Sequence, residues 1–157
     1  MDEIRLRFVR GSAWDSRVIE YQTRAWCSHA EAVWDLRETL GAMLNGGVLV
    51  RSVDDRAYRG VVRAETWAIP CQGPQAEKFG TFLDNQIGKP YDWRAILSFG
   101  LGERDWRAPD SWFCSELQAA ALEAAGLLTM TPCLPVSRIT PRDLFMLVSQ
   151  IPGAHRV

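Results

Sequence analysis

One cysteine of the chain stands where a thiol can act as a nucleophile. Cys114 lies at the start of a stretch, 113–125, whose apolar residues recur with the spacing of a helix. The first turn of a helix offers unpaired N–H groups and a partial positive charge, and both favour a thiolate. The same N–H groups can bind the oxyanion that forms when a thiolate attacks a carbonyl. The alternative is a small buried apolar side chain, because free cysteines are among the most buried residues.

His29 is the candidate base for that thiol. The chain has only two histidines, and the other one, His155, lies close to the C-terminus. His29 stands in an alternating segment, 28–34, which is typical of a strand and which places Glu31 on the same face as the ring. A carboxylate there can orient one imidazole nitrogen while the other takes the thiol proton. The alternatives are a hydrogen-bonded strand histidine and an ordinary solvated glutamate.

The charge balance argues against a nucleic-acid partner. The 18 basic and 19 acidic residues give a formal net charge of −1, and no run of basic residues is present to neutralise phosphates. No apolar run reaches the ~18 residues of a membrane span, and the N-terminus has no signal-peptide core. We therefore expect a cytoplasmic protein, with phage delivery or export by another route as the alternative.

The cysteines do not follow a metal-binding pattern. They are scattered along the chain, without a CxxC pair or a nearby histidine cluster, at Cys27, Cys71, Cys114 and Cys133. We expect four free thiols, no metal site and no cofactor.

Seven tryptophans are many for a chain of this length. Trp26 and Trp112 stand close in sequence to His29 and Cys114, so they are candidate walls of a substrate cleft. Packing into the core is the alternative for both.

The apolar spacing and the turn signals predict strands in the first half of the chain. The predicted strands are 4–10, 28–34, 39–44, 47–51 and 61–69. Asn45 and Gly46 between the third and fourth strands predict a type I′ hairpin turn, whose two central residues both need a positive φ.

Helices are predicted mainly in the second half. They cover 12–22, 75–87, 113–125 and the stretch from Thr140 to about Gln150. Ser12 or Asp15 is the expected cap of the first helix, and its candidate buried residues are Trp14, Val18, Ile19 and Tyr21. Residues 98–111 are predicted to form an exposed loop. This order of elements indicates a single α+β domain over 1–157, with an antiparallel, barrel-like sheet packed against helices.

The order of the motifs resembles a known family of hydrolases. The segments that carry the resemblance are, in chain order, Ser28-His29-Ala30-Glu31, a Gly-Gly hairpin, Gly88-Lys89-Pro90-Tyr91-Asp92 and Trp112-Phe113-Cys114-Ser115-Glu116-Leu117. Together they resemble the circularly permuted branch of the NlpC-type papain-like cysteine hydrolases, the YiiX-like group, which is related to the lecithin:retinol acyltransferase-like proteins. Ordinary NlpC enzymes carry the GxPY segment and the Cys-Ser helix before the histidine strand, whereas here the histidine strand comes first.

The resemblance implies a papain-like fold in which Cys114 is the nucleophile and His29 the base. It also implies that Tyr91 lies near the oxyanion position, with a turn aromatic as the alternative. The implied function is a cysteine peptidase or amidase that cleaves a peptide, amide or acyl-ester substrate. One departure concerns the third polar residue, which the family usually carries on the strand after the histidine strand. Residues 39–43 contain no acid, amide or imidazole, so either Glu31, a backbone group or a water orients the ring, or the triad is degraded.

Two other functions stay open at this point. One is a non-catalytic peptide- or lipid-binding or structural protein on the same fold, which the missing third residue favours. The other is an acyltransferase, which needs an acyl acceptor other than water. The sequence predicts no oligomeric state.

Overall fold

The chain folds into an α+β structure in which a six-stranded antiparallel sheet packs against helices, as the sequence predicted. This computed structural model describes residues 2–35, 37–53, 60–94, 110–131 and 135–157. The strands are β1 (Asp2–Gly11), β2 (His29–Asp35), β3 (Glu38–Met43), β4 (Gly47–Ser52), β5 (Val61–Cys71) and β6 (His155–Arg156). The described helices are α1 (Trp14–Thr23), α2 (Gly73–Asp84), α3 (Cys114–Ala124) and α4 (Pro141–Gln150), with a short 3-10 helix at Val136–Arg138.

The first strand lies inside the sheet and sets its register. The strand order is β4-β3-β2-β1-β5-β6, and every neighbouring pair is antiparallel. Apolar and basic residues alternate along β1, so one face is buried in the core through Ile4, Leu6 and Phe8. On the other face, Arg7 is paired with Glu31 of β2, and Val9 is paired with His29. The register therefore places a basic residue of β1 beside the acidic residue that the sequence singled out.

The core encloses the helix that begins at Cys114. Its buried apolar residues include Leu117, Ala119, Ala121 and Leu122. Gln118 Nε2 donates to the carbonyl oxygen of Leu40 in β3 at 2.9 Å. Ser115 Oγ donates to the carbonyl oxygen of Ile139, just before α4, at 2.6 Å. Because these two bonds hold both sides of the first turns of α3, the position of Cys114 relative to the sheet is set by the core.

The last helix begins as the sequence predicted. Thr140 Oγ1 accepts a hydrogen bond from the Asp143 N–H at 3.2 Å, and the Asp143 carboxylate accepts one from the Thr140 N–H at 3.0 Å. Pro141 occupies the first turn, where its missing N–H costs nothing. Among the residues that the structure describes, no helix is long and apolar enough to cross a membrane.

The first helix differs from its prediction in the face that it buries. Ile19 is buried, whereas Trp14 is 75% exposed and Tyr21 is 86% exposed. Trp14 and Tyr21 are seven residues apart and therefore share one face of the helix, away from the side that carries Ile19. The helix also lacks the expected cap, because Ala13 occupies that position and makes no side-chain bond. The prediction that Ser12 or Asp15 caps α1 was wrong.

The predicted hairpin is present, but its turn is not the expected one. Met43 pairs with Gly47, so three residues form the turn between β3 and β4. Positive φ angles occur at Gly46 (128°) and Gly47 (71°), and Asn45 does not have one. The two glycines carry the strained backbone because they have no Cβ to clash.

Two further expectations concern the rest of the sheet and the long loop. The described strand pairings end at β4 and β6, so they show an open sheet and not the barrel-like closure that was expected. The strand predicted to end before Pro70 continues through it to Cys71. Most of the predicted loop at 98–111 falls in the part of the chain that the structure leaves out.

We predict that Gly47→Ala destabilises the protein more than Gly88→Ala. Both glycines have a positive φ, 71° and 86°, so alanine costs about 1–2 kcal/mol of backbone strain at either position. At Gly47 the added Cβ would also overlap the carbonyl oxygen of Lys89, whereas at Gly88 it would meet nothing within 4 Å. In urea denaturation we expect a loss of about 2–4 kcal/mol for Gly47→Ala and about 1–2 kcal/mol for Gly88→Ala. Equal losses would contradict the tight packing of the hairpin against the 88–90 segment.

Candidate active site

Backbone hydrogen bonds bring Tyr91 beside the first turn of α3. Tyr91 forms a parallel bridge with Trp112. The Trp112 N–H donates to the carbonyl oxygen of Pro90 at 3.0 Å, and the Asp92 N–H donates to that of Trp112 at 3.0 Å. The rings of Tyr91 and Phe113 lie 5.8 Å apart between centroids. Tyr91 therefore packs against the residues that lead into the candidate nucleophile.

His29 and Cys114 meet where β2 faces the start of α3. The Cys114 side chain lies close enough to the His29 imidazole to influence its pKa. Nε2 of the ring lies 3.4 Å from Glu31 Oε2, which is an ion-pair distance without a formed hydrogen bond. The His29 side chain is 19% exposed. The structure thus brings together the thiol, the imidazole and the carboxylate that the sequence proposed as partners.

The buried carboxylate of Glu31 lies between the guanidinium of Arg7 and the imidazole of His29. Its side chain is 0% exposed, so the alternative of an ordinary solvated glutamate was wrong. Oε1 accepts a hydrogen bond from Arg7 Nη1 at 3.2 Å, while Oε2 faces His29. A buried charge is tolerated only where partners replace the lost water, and here Arg7 supplies one of them. The sequence analysis did not identify Arg7, because its pairing with Glu31 depends on the register of β1 and β2.

The neighbours of His29 favour its protonated form. Burial on its own would lower the pKa of the ring. The charge of Cys114 and its closeness to the ring act in the opposite direction, as does the contact with Glu31, and together they raise the pKa of His29 from 6.5 to about 10. At neutral pH the site therefore favours an imidazolium that can stabilise a thiolate and later donate a proton.

Gly41 of β3 has no side chain, and this leaves space for the contact between Glu31 and His29. A Cβ at Gly41 would lie 3.1 Å from Glu31 Cβ and 3.6 Å from His29 Nε2. A side chain at this position would compete with Glu31 for the ring nitrogen. Residues 39–43 carry no acid, amide or imidazole, and the Glu31 carboxylate reaches the space beside the ring from β2.

The thiol of Cys114 is enclosed in this structure. Cys114 is 0% exposed and packs with Ile19, Tyr91 and Phe113. A cavity of about 210 Å³ lies beside it, and its lining includes Ile19, His29 and Tyr91. Ile19 and Tyr91 line the cavity and pack in the same apolar cluster as Cys114, so the thiol lies close to the cavity wall without being part of it. A substrate in the cavity reaches the sulfur only if one of these side chains moves.

The other described cysteines sit in different surroundings. Burial, followed by the charge of Cys114, raises the pKa of Cys27 to about 12. Burial is also the main reason why the pKa of Cys71 is raised. Both are free thiols that stay protonated at neutral pH, whereas Cys133 falls outside the described ranges.

The two tryptophans proposed as cleft walls lie in packed surroundings. Trp26 makes an edge contact with Phe145, at 5.5 Å between ring centroids, and the Arg63 guanidinium lies 4.2 Å from its ring. Trp112 is buried, and its Nε1 donates to Gln86 Oε1 at 3.0 Å. Neither is among the described residues that line the cavity beside His29. Their surroundings favour the packing role that the sequence analysis kept as the alternative.

Comparison with known proteins supports the fold. No family model matches the chain, and no curated protein matches it. Among solved structures, the chain is similar to the metalloprotein yiiX from Escherichia coli O157:H7, with a TM-score of 0.66 and 16% sequence identity. The match covers 98% of this chain and 94% of that one. The chain therefore has the fold of yiiX over its whole length, in line with the YiiX-like group named from the motifs.

The name of that neighbour raises the question of a metal site in this chain. Within the ranges that the structure describes, no three His, Cys, Asp or Glu side chains cluster as metal ligands would. The described residues of this chain thus do not fit a metal centre.

We predict that Glu31→Gln destabilises the protein more at about pH 6 than at about pH 10.5. The folded-state pKa of His29 lies above its ordinary value, so the stability that the protonated ring contributes is present below about 6.5 and is lost as the pH rises through about 10. Part of that contribution comes from Glu31, and the neutral amide removes it. The measurement is the free energy of unfolding of both proteins at the two pH values.

Glu3→Gln is the matched control for this prediction. Glu3 pairs with Arg5 on the surface, so removing its charge does not act on His29. Its effect should therefore be the same at both. A pH-independent effect of Glu31→Gln would contradict the contact between Glu31 and a charged His29.

We predict that Ile19→Ala increases the access of reagents to Cys114. Removing this side chain, which lines the cavity and packs in the same cluster as the thiol, should raise the rate of alkylation by iodoacetamide about tenfold, relative to Val18→Ala on the neighbouring side of α1. Cys71, which is buried at the end of β5, reports global unfolding in the same experiment. Ile19 does not control access if the Cys114 rate is unchanged, or if Cys71 accelerates by the same factor.

Proposed function

We propose that this protein is a thiol hydrolase of the cysteine peptidase or amidase type, with Cys114 as the nucleophile and His29 as the base. The observation that carries the proposal is the buried chain of contacts from Cys114 through His29 to Glu31. A strand histidine without a chemical role has no need of a thiol on one side and a fully buried carboxylate on the other. Burying the Glu31 charge is costly, and the cost is understandable where the charge orients and stabilises an imidazolium.

The proposed reaction has two stages. The Cys114 sulfur, having given its proton to His29, attacks the carbonyl carbon of an amide or ester, and a carbon–sulfur bond forms. As the tetrahedral intermediate collapses, the imidazolium of His29 donates that proton to the leaving amine or alcohol. A water then attacks the thioester carbonyl, with His29 taking its proton, and releases a carboxylic acid and the Cys114 thiol.

The start of α3 would hold the oxyanion in both stages. The first N–H groups of a helix have no partner within it, and those of the turn that begins at Cys114 lie beside the sulfur. Tyr91 lines the cavity on the same side as His29 and packs against the segment before Cys114. We assign its hydroxyl to the bound carbonyl oxygen, as the resemblance implied.

The motif order and the fold fit the same assignment. The chain shares the fold of yiiX, and its histidine strand precedes the cysteine helix, so we assign it to the permuted branch of the NlpC-type papain-like enzymes. The substrate would be a peptide, another amide or an acyl ester whose acyl part fits the cavity beside His29.

A second candidate function is supported by a different observation. Cys114 is 0% exposed, which is what a protein that binds a ligand in the cavity without chemistry would show. In that case the cavity would hold a peptide or a lipid, and the thiol would be a packing residue. An acyltransferase uses the same first stage, with an acceptor other than water in the second.

The thiol reactivity of the intact protein tests the proposal. We predict that Cys114 reacts with iodoacetamide at neutral pH at least tenfold faster than Cys27 or Cys71, whose pKa values burial raises. His29→Ala should remove most of that advantage. Peptide mapping by mass spectrometry identifies the modified cysteine at each time point, with Cys133 followed in the same digest. Equal rates at all four thiols, or a rate at Cys114 that does not depend on His29, would rule out the catalytic pair.

An activated ester separates the catalytic proposal from the binding one. With p-nitrophenyl acetate, a hydrolase should release p-nitrophenolate and pass through an acetyl group on Cys114 that mass spectrometry detects. Cys114→Ala should abolish both signals, while Cys71→Ala, at a buried thiol elsewhere in the fold, should keep them. Acetylation without turnover in water would instead favour an acyltransferase. The absence of any Cys114 adduct would favour the binding protein.

A further inference from the structure

We propose that Arg7 is a positioning residue of this site, which acts on His29 through the carboxylate of Glu31. The inference rests on the proposed thiol chemistry and adds to it a residue that no motif of the sequence singles out. Arg7 does not touch the cavity, so its role is indirect: it fixes the place and the charge of Glu31, and Glu31 in turn fixes the ring.

The sheet holds the Arg7 backbone on both sides. β1 lies between β2 and β5, and Arg7 is paired with Glu31 on one side and with Thr66 on the other. Residues directly opposite each other in an antiparallel pair have Cβ atoms about 4.5–5.5 Å apart, which suits a direct side-chain contact. The observed contact is 3.2 Å between Arg7 Nη1 and Glu31 Oε1. A central strand thus supplies the cation, and a central strand moves little.

Charges alternate along the line of contacts once the thiol has given its proton to the ring. The order is guanidinium of Arg7, carboxylate of Glu31, imidazolium of His29 and thiolate of Cys114. Each inner group then has an opposite charge on both sides, and the four charges sum to zero. Without Arg7, the buried carboxylate would lose the cation on its Oε1, and taking up a proton or turning away from the ring would become more favourable. Either response withdraws the anion that keeps the ring protonated and oriented.

The groups that titrate or carry charge around His29 come from every element packed against it. β1 contributes Arg7, β2 contributes Glu31 and β4 contributes Arg51, which lines the same cavity as His29, while Gly41 of β3 stands close to the ring. The start of α3 contributes Cys114, and the segment before it contributes Tyr91. The thiol of Cys27, just before β2, also interacts with the charge of Cys114. Its pKa is raised to about 12, so it stays neutral over the pH range tested.

The test is the pH profile of Cys114 alkylation in the full-length protein. Arg7→Met should lower the rate with iodoacetamide at neutral pH about tenfold and move the midpoint of the profile to higher pH. Arg7→Lys keeps a cation that can reach one carboxylate oxygen, so its rate should stay within about threefold of wild type. Arg5→Met is the matched control, because Arg5 lies on the same strand and face but pairs with Glu3 at the surface. Its profile should match wild type.

A double-mutant comparison shows whether Arg7 acts through Glu31. In the Glu31→Gln background, adding Arg7→Met should change the alkylation rate by less than about twofold, because the carboxylate through which it acts is gone. A tenfold loss in both backgrounds would overturn the proposal and show a separate effect on the fold. If Arg7→Met does not fold, the Arg7→Lys profile decides. If the Arg7→Lys protein then reacts as slowly as Glu31→Gln, the claim that Glu31 requires a cation at position 7 is overturned.

The outcomes separate this inference from the proposed function. If Cys114 of the wild type reacts no faster than Cys27, the thiol chemistry itself fails. If Cys114 is fast and depends on His29, but Arg7→Met behaves like Arg5→Met, only the role of Arg7 is overturned.

Discussion

The buried carboxylate of Glu31 is the constraint on which the rest of the site depends. A carboxylate removed from water needs compensating partners, and this one has a guanidinium on one oxygen and an imidazole on the other. The partners come from the neighbouring strand and from the same strand two residues earlier. The arrangement is possible only because β1 and β2 are paired in the observed register and because β3 has a glycine opposite the carboxylate. A shift of one residue in that pairing would carry Arg7 to the other face of the sheet.

The position of the thiol follows from the core in the same way. Bonds from Gln118 to β3 and from Ser115 to the segment before α4 fix the first turns of α3, so the sulfur and the imidazole meet without help from a flexible loop. The segment on which Tyr91 lies is attached to the β3–β4 hairpin. The Val48 N–H donates to the carbonyl oxygen of Lys89, and the Gly88 N–H donates to that of Val48. Outside the main core lies α1, whose Ile19 packs in the same apolar cluster as Cys114. The core thus holds the thiol in place, whereas the side chain that packs near it belongs to α1.

The sequence predicted the elements better than it predicted their contacts. The alternating segments gave β1 and β2, and the helical spacing after Cys114 gave α3, because local periodicity reports which face of an element is buried. The choice of Cys114, His29 and Glu31 was possible because the motifs have a recognisable order and only two histidines were available. Arg7 and Gly41 escaped notice because their importance arises from strand register, which no local pattern encodes. The exposed Trp14 and Tyr21 were misassigned for the opposite reason: apolar composition suggested burial, but only one side of α1 meets the protein.

The pairings of β5 determine how close the first and last strands of the sheet lie to each other. Near the end of β5, Cys71 pairs with Asp2 on one side, and three residues earlier Ala68 pairs with His155 on the other. The first and last strands therefore flank the same short stretch, about 10 Å apart, as expected for strands separated by one neighbour. A short linker could join them, and new ends opened in another surface loop would leave every pairing in place. The sheet thus constrains where the histidine and the cysteine lie in space, but not which of them the ribosome makes first.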